Sequence, residues 1–598
     1  MAGVAAIPWA TPTDAAPPWE AAARAASPMP LPRAPVTLTP LTLVSPAQPT
    51  DPQDPPATQV SANSNHQAAL VIAEDNRLRS LLQHADRLTA PSIVVVPGSL
   101  ATLILPARVT PYTFSDLESA GAVSPLGLSG WYMLLDSVLV SPSATLDVSG
   151  GGLSTLLMDS NATGFTSLVT WGGTINISGT AEDPISITGW DSVNDQPAQD
   201  AGYGRPYIRA IGGQLDLNEV RASSLGFWSG RTGGVAWTGI STQPASGGAT
   251  SSTFVGDTYG AFVTGSSQVQ FSDDLFEANE LDGLRLNRNT NFSVVTGSAA
   301  ARNGGNGFVI SRGASSDSLL GDLSIHNAGN GFLLDGQPLV SGASPSGGQV
   351  EPSTGTALGA SEASQNGRSG ILVEGGSGTV VQHNLVCGTS TGIAIRLGAD
   401  LTSVVGNEVE CGGSLALSIG PSVTGTTVSG NTLSNADIGI LVRNSPGVRL
   451  MNNQLTKMSV FAISVRGTSP GVVGNGNVLA GVGFEPINVQ GGAATPVLVG
   501  TNSQAWQRRS NPTLLSYLRY HPLLATWLTI LVLVVLCWIV VRLRRRPAMP
   551  YRHAVRWQPS RRTAAEMAPA HAIEGAGPER ALVGSTWPPT SPLGRGEA

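Results

Sequence analysis

Lysine is almost missing: the 598 residues contain one, Lys457. Charged residues make up 12% of the chain, against about 25% in an ordinary soluble domain. Aromatic residues are 5%, and cysteine occurs three times, as Cys387, Cys411 and Cys537. A body so poor in Lys and Arg is not a general nucleic-acid binder, because phosphate contact needs clustered cations. No two cysteines have the C-x-x-C spacing of a zinc ribbon, so no metal site is expected. A P-loop and a dinucleotide fingerprint are also missing, and no cofactor is expected. What is abundant is glycine, 72 residues, and proline, 42. Glycine at that level disfavours a helical bundle. A Gly-X-Y period, which collagen requires, is not present. The hydrophobic share, 41%, is too high for a disordered chain. A turn-rich, all-β protein remains.

The net charge of −7 is unevenly spread. From Arg542 to the end the chain carries ten Arg and four Glu, leaving about −13 on the rest. Just before that basic tail, Leu523 to Val541 runs 19 residues without a charge. At 1.5 Å per residue such a helix is about 28 Å long, close to the hydrocarbon thickness of a bilayer. The run reads as a transmembrane helix at 523–541 with the lipid bilayer as its partner. Arg542, Arg544, Arg545 and Arg546 follow it at once, which by the positive-inside rule makes 542–598 a cytoplasmic, disordered tail and the body extracytoplasmic. Export needs a signal. Met1 to Ala10 has no basic residue and reads as the remnant of a truncated signal peptide; export driven by the C-terminal span is the alternative.

Residues 1–60 hold 14 prolines and read as a disordered segment. Residues 61–91 read as a short helix and the entry to the strand-rich body. From 92 to 260 strands and turns alternate irregularly, and from 261 to 500 they repeat. Period-2 segments such as GLRLN, GFVIS, GIAIR and GILVR each carry a last inward apolar anchor: Val263, Leu286, Ile310, Leu334, Val373, Ile395, Ile419, Val442, Val465 and Val489. Eight of the nine gaps between them are 22–24 residues. The exception contains an insert at about 337–363, read as a protruding loop. Asn384, Asn407, Asn431, Asn453 and Asn477 recur in phase. An Asn-x-x-x-Gly motif recurs at Asn279, Asn303, Asn327, Asn366 and Asn435. Residues 501–522 read as a juxtamembrane linker.

A unit of about 23 residues cannot bury its own apolar face, whereas stacked units can. Asparagines one unit apart then form amide ladders, and the motif glycines supply positive φ. The pattern resembles the right-handed parallel β-helix repeat superfamily, the pectate-lyase-like group, over about 92–500, and is similar to bacterial membrane-anchored members of it. The resemblance implies handedness and an outer face that carries sugar chains. The expected fold is all-β, a right-handed parallel β-helix (single-stranded solenoid) plus one C-terminal transmembrane α-helix. Cys387 and Cys411 each lie eight residues before an anchor, which stacks them within disulfide reach; a bridge or two stacked thiols are the alternatives.

The residue after each anchor points outward. Down the stack this row contains Asp335 and Glu374, then Arg396, Arg443 and Arg466, either a binding stripe for an anionic polymer or a ladder of solvated, neutralising charges. Asp273, Asp274 and Glu277 are the candidate carboxylates for glycoside chemistry, although adjacent strand residues face opposite ways. Trp228 and Arg231 belong to an aromatic-rich stretch that either stacks on sugar or packs the core. The expected function is a membrane-anchored protein that binds envelope or extracellular polysaccharide. The alternatives are a lyase, epimerase or hydrolase on uronate sugars, and a spacer or adhesin for a protein partner.

Overall fold

The computed structural model describes residues 36–37, 64–149, 152–199, 203–240, 242–338, 351–410, 413–491, 495–509 and 522–544. The rest of the leader over 1–60, the centre of the insert, Cys411 and the tail beyond 544 lie outside the described residues. The chain forms two units, Met1–Pro512 and Thr513–Ala598.

The first unit is a parallel β-helix. Each coil contributes one short strand to each of three sheets, which we call A, B and C in the order the chain visits them. Among the described residues sheet A has 17 strands and sheet B has 15. The ten expected anchors pair in unbroken register down sheet A, from Val263 and Leu286 to Val465 and Val489. Each inner strand residue is apolar because it faces only its counterparts above, below and across the coil. Leu286, Val373, Ile395, Ile419, Val442 and Val465 are all fully buried in one continuous core. Upstream coils are longer. Ile175 pairs with Leu215, forty positions on, and the extra length leaves as loops.

Two turns are held by ladders. At the turn from sheet B to sheet C, Asn384, Asn407, Asn431, Asn453 and Asn477 are buried. Each Nδ2 donates to the next Oδ1 at 2.9–3.0 Å. That same Oδ1 also accepts the preceding rung's backbone N–H. At the turn from sheet C to sheet A, Asn279, Asn303, Asn327 and Asn366 do the same at 2.8–3.0 Å. Buried amides are costly unless paired, so the ladder locks neighbouring coils in phase.

The motif glycine has a different role from the one expected. Gly283 and Gly331 do not have positive φ. A Cβ on Gly283 would lie 2.7 Å from Gly307 O and 2.9 Å from Asn303 Nδ2, so glycine makes room for the ladder itself. Asn435 is the exception to the motif: it is exposed at φ +57°, and Ala436 is buried at that turn.

The ends differ. Helix α1, Ser64–Ala85, lays Val71, Leu78, Leu81 and Ala85 on outward residues of sheet A, among them Ile104, Leu139 and Val169. Its Arg77 binds Glu74 through two bonds of 2.6 and 2.7 Å, and Tyr207 donates to Glu74 at 2.5 Å. Helix α2, Phe114–Ser119, turns Phe114 and Leu117 into the core and plugs the N-terminal mouth. Residues 36–37, inside the segment read as disordered, form a strand parallel to 94–95, where β-branched Val36 and Thr37 extend an edge. At the other end the last strand is Trp506–Arg508, within the stretch read as a linker. The insert is also shorter than expected. Residues 357–359 and 362–364 are ordinary sheet B and C strands, whose Ala and Gly content hides them in the sequence.

Described by itself, the second unit contains helix α3, Pro522–Arg544. Its apolar side chains are exposed, Trp527 and Leu531 among them. Among the described residues no helix is long and apolar enough to cross a membrane.

Asn407→Ala removes the acceptor for two buried donors of Asn384, a loss of about 1–3 kcal/mol for each group left unpaired. Asn435→Ala removes none. Denaturant unfolding followed by hydrogen exchange at the flanking rungs should show a large loss for the first variant and little for the second.

Candidate functional site on the outer face of sheet A

Two outward rows run along sheet A. One passes through Val169, Arg209, Ala236, Phe262, Arg285 and Val309 to Asn488. The other is the expected charged row: Asp335 pairs with Glu374, Glu374 with Arg396, and Arg443 with Arg466. Neighbouring rungs are about 4.8 Å apart, so these side chains form one continuous strip.

The strip changes character along its length. At its start it is covered: α1 lies over the first rungs, and Asp75 of α1 meets Arg209 at 3.2 Å and Arg231 at 3.6 Å. These two guanidiniums hold the Asp75 carboxyl below its usual range against the opposing effect of burial. The middle is polar and buried. Ser311 donates to Asn287 Oδ1 at 2.8 Å, and Asn287 Nδ2 has no partner. Asp335 lies 3.8 Å from Arg312 and accepts the Gln337 N–H. Glu374 and Arg396 neutralise each other at 2.5 Å. Beyond them Arg443 and Arg466 stand on adjacent rungs, and neither has an ion-pair partner among the described residues. Arg443 is exposed and Arg466 is half-buried, with its Nε on Ser464. Two unpaired like charges at one rung's separation repel each other, and an anion placed between them removes that repulsion.

The other expected residues are placed apart from this strip. Trp228, at φ +53°, packs half-buried with the α1 cluster, and Arg231 faces Asp75. Trp190, Tyr207, Phe227 and Trp237 of the same stretch are fully buried, whereas Tyr203 is exposed. Asp273, Asp274 and Glu277 do not meet in one groove. Asp273 is exposed at a turn with φ +57°. Glu277 forms an ion pair with Arg302. Asp274 is buried in the ladder at the turn from sheet B to sheet C, where it accepts the N–H of Ser252 at 2.8 Å and of Ser272 at 3.1 Å. That column continues upstream of the asparagines as Ser252, Asp274, Ser298, Asp322 and Ser361. The expected pairing of Cys387 with Cys411 involves a residue outside the described ones. Cys387 is a free thiol 3.1 Å from Ser364 Oγ, and its register partner is Glu410. Sequence reasoning missed Arg312, which pairs with Asp335; its only signal was its place just after the row residue Ser311.

Burial raises the carboxyl of Asp274 to about 8 and those of Asp317 and Asp322 to about 7, the backbone N–H bonds opposing this only in part.

Among known proteins, the family model described as "Right handed beta helix region" matches residues 238–409. No curated protein sequence matches the chain. Solved structures that the chain is similar to include the periplasmic alginate epimerase AlgG, at 14% identity and TM-score 0.45, covering 69% of this chain and 85% of that one. The Azotobacter vinelandii mannuronan C-5 epimerase AlgE6 A-module is 16% identical with TM-score 0.36, covering 67% and 93%. A GH87 α-1,3-glucanase catalytic domain solved with tetrasaccharides is 10% identical with TM-score 0.29, covering 61% and 64%. At this distance they speak neither to substrate nor to reaction. Residues 238–409 thus match a right-handed β-helix region, and the stacked rungs continue in parallel register on either side of it.

A carboxyl whose native affinity for a proton exceeds its unfolded value stabilises the fold at low pH. That contribution falls away as pH rises from about 4 through about 7–8. Asp322→Asn should therefore raise Tm progressively over that window and hold the gain above it. A thermal melt series from pH 4 to 9 checks this; a gain that is the same at every pH would contradict it.

Proposed function

We propose that the outer face of sheet A binds an acidic polysaccharide along the coil axis, and that the protein displays this face outside a membrane. The observation that carries the reading is the basic end of the outward row, where exposed Arg443 and half-buried Arg466 stand side by side without an acidic partner among the described residues. Arg396, two rungs before Arg443, extends the strip and already holds one carboxylate, that of Glu374. A guanidinium takes a carboxylate through two parallel bonds. A uronate polymer carries a carboxylate on every sugar and so presents acids in series to a row of rung-spaced cations. Glu374 and Asp335 bound the strip on the other side and set the register at which an acidic chain stops being attracted.

The membrane half of the reading rests on α3 and its surroundings. The helix coincides with the uncharged run Leu523 to Val541. Its large apolar side chains are exposed, and the arginines after it mark the cytoplasmic side. An extracytoplasmic body is the arrangement in which an envelope polysaccharide reaches the strip.

Binding of polygalacturonate and alginate, measured by calorimetry, should weaken about 10-fold or more in the Arg443→Ala/Arg466→Ala double variant, given about 1.5–3 kcal/mol for a hydrogen bond to a charged group. It should also weaken with added salt. No binding to either polymer, or binding unchanged in the double variant, would overturn the reading. Separately, the full chain expressed in bacteria should stay in the membrane fraction through carbonate extraction and be released by deletion of 523–541.

A further inference from the structure

The outer face of sheet B carries a notch of a different chemistry. Down one outward row the residues are Asp147, Asn176, Asp216, Gly248 and Gln270. Gly248 therefore interrupts a row of polar side chains, leaving a gap one rung deep between Asp216 and Gln270. The gap is a surface cavity of about 310 Å³ whose lining includes Asp216, Asn218, Gly248, Thr250, Gln268 and Gln270. Glycine is needed there, since a Cβ on Gly248 would lie 2.9 Å from the Gln270 nitrogen and closer still to its carbonyl. The cavity is kept by the backbone and does not depend on a side chain moving aside.

We infer that this notch is a binding site for an uncharged sugar, with Asp216 accepting from a pair of neighbouring hydroxyls. Asp216 Oδ2 accepts from Gln214 Nε2 at 2.6 Å. That bond fixes the carboxylate, and Oδ1 has no bond from a described residue. The carboxamides of Asn218, Gln268 and Gln270 and the Thr250 hydroxyl offer both donors and acceptors, which is what a ring of hydroxyl groups needs. Asp216 is the only charged residue in the lining, so an acidic sugar would be repelled and a neutral one would not. Burial raises the proton affinity of Asp216, and the bond from Gln214 opposes that rise. The notch is built from other strands than the basic strip and does not rest on the acidic-polymer reading.

The test uses the full chain and neutral oligosaccharides of glucose, mannose and galactose as probes, with binding read by calorimetry and by ligand-observed NMR. At least one series should bind, with little dependence on salt. Asp216→Ala and Gln270→Ala should each weaken that binding 10-fold or more, while Arg443→Ala leaves it unchanged. Asp216→Ala should in turn leave polygalacturonate binding unchanged, so the two sites fail independently. An unchanged melting curve for each variant separates loss of the site from loss of the fold. If no neutral series binds the folded protein, or if binding survives both substitutions, the inference is overturned.

Discussion

A buried asparagine amide with nothing to bond costs more than the coil that carries it can recover alone. Every rung of the ladder from Asn384 to Asn477 is satisfied by the rung beside it, through both a side-chain and a backbone donor. Register is therefore fixed by the chain's most expensive groups, while the apolar anchors fill the interior. Once that phase is set, every outward residue falls into a straight row. The charged strip on sheet A and the notch on sheet B are both consequences of it.

Glycine serves the same constraint in two ways. Gly283 and Gly331 let the ladder amide approach the backbone, where any side chain would collide with it. Gly248 instead withdraws a side chain from an outer row and leaves a cavity. The change from serine and aspartate to asparagine along the ladder is also chemical: the upstream half carries carboxyl groups whose affinity for a proton burial raises, and the downstream half has none.

The anchors were legible in the sequence because strand period and coil period coincide, so Ile395, Ile419 and Val442 could be stacked by counting. The outward row came from the same count. Where the local gap changed by one residue, counting failed. Asn435 lies outside the ladder, and Ala436 is buried at that turn instead. The strands at 357–359 and 362–364 were hidden because Ala and Gly replace the expected apolar pattern. The covering of the first rungs by α1 was not legible at all, since Asp75 and Arg209 are 134 residues apart and meet only through the winding. The notch was invisible for a related reason: it is a missing side chain, and its walls come from three separate coils.

The plug formed by α2 makes the two mouths of the coil unequal. Phe114 and Leu117 close one of them, while towards the other Val497 and Val499, on the last described strand of sheet B, are exposed. A parallel stack with two bare mouths would be a template for endless head-to-tail growth, each molecule continuing the next one's sheets. Stopping one mouth with a helix removes one of the two matching surfaces that such head-to-tail stacking needs.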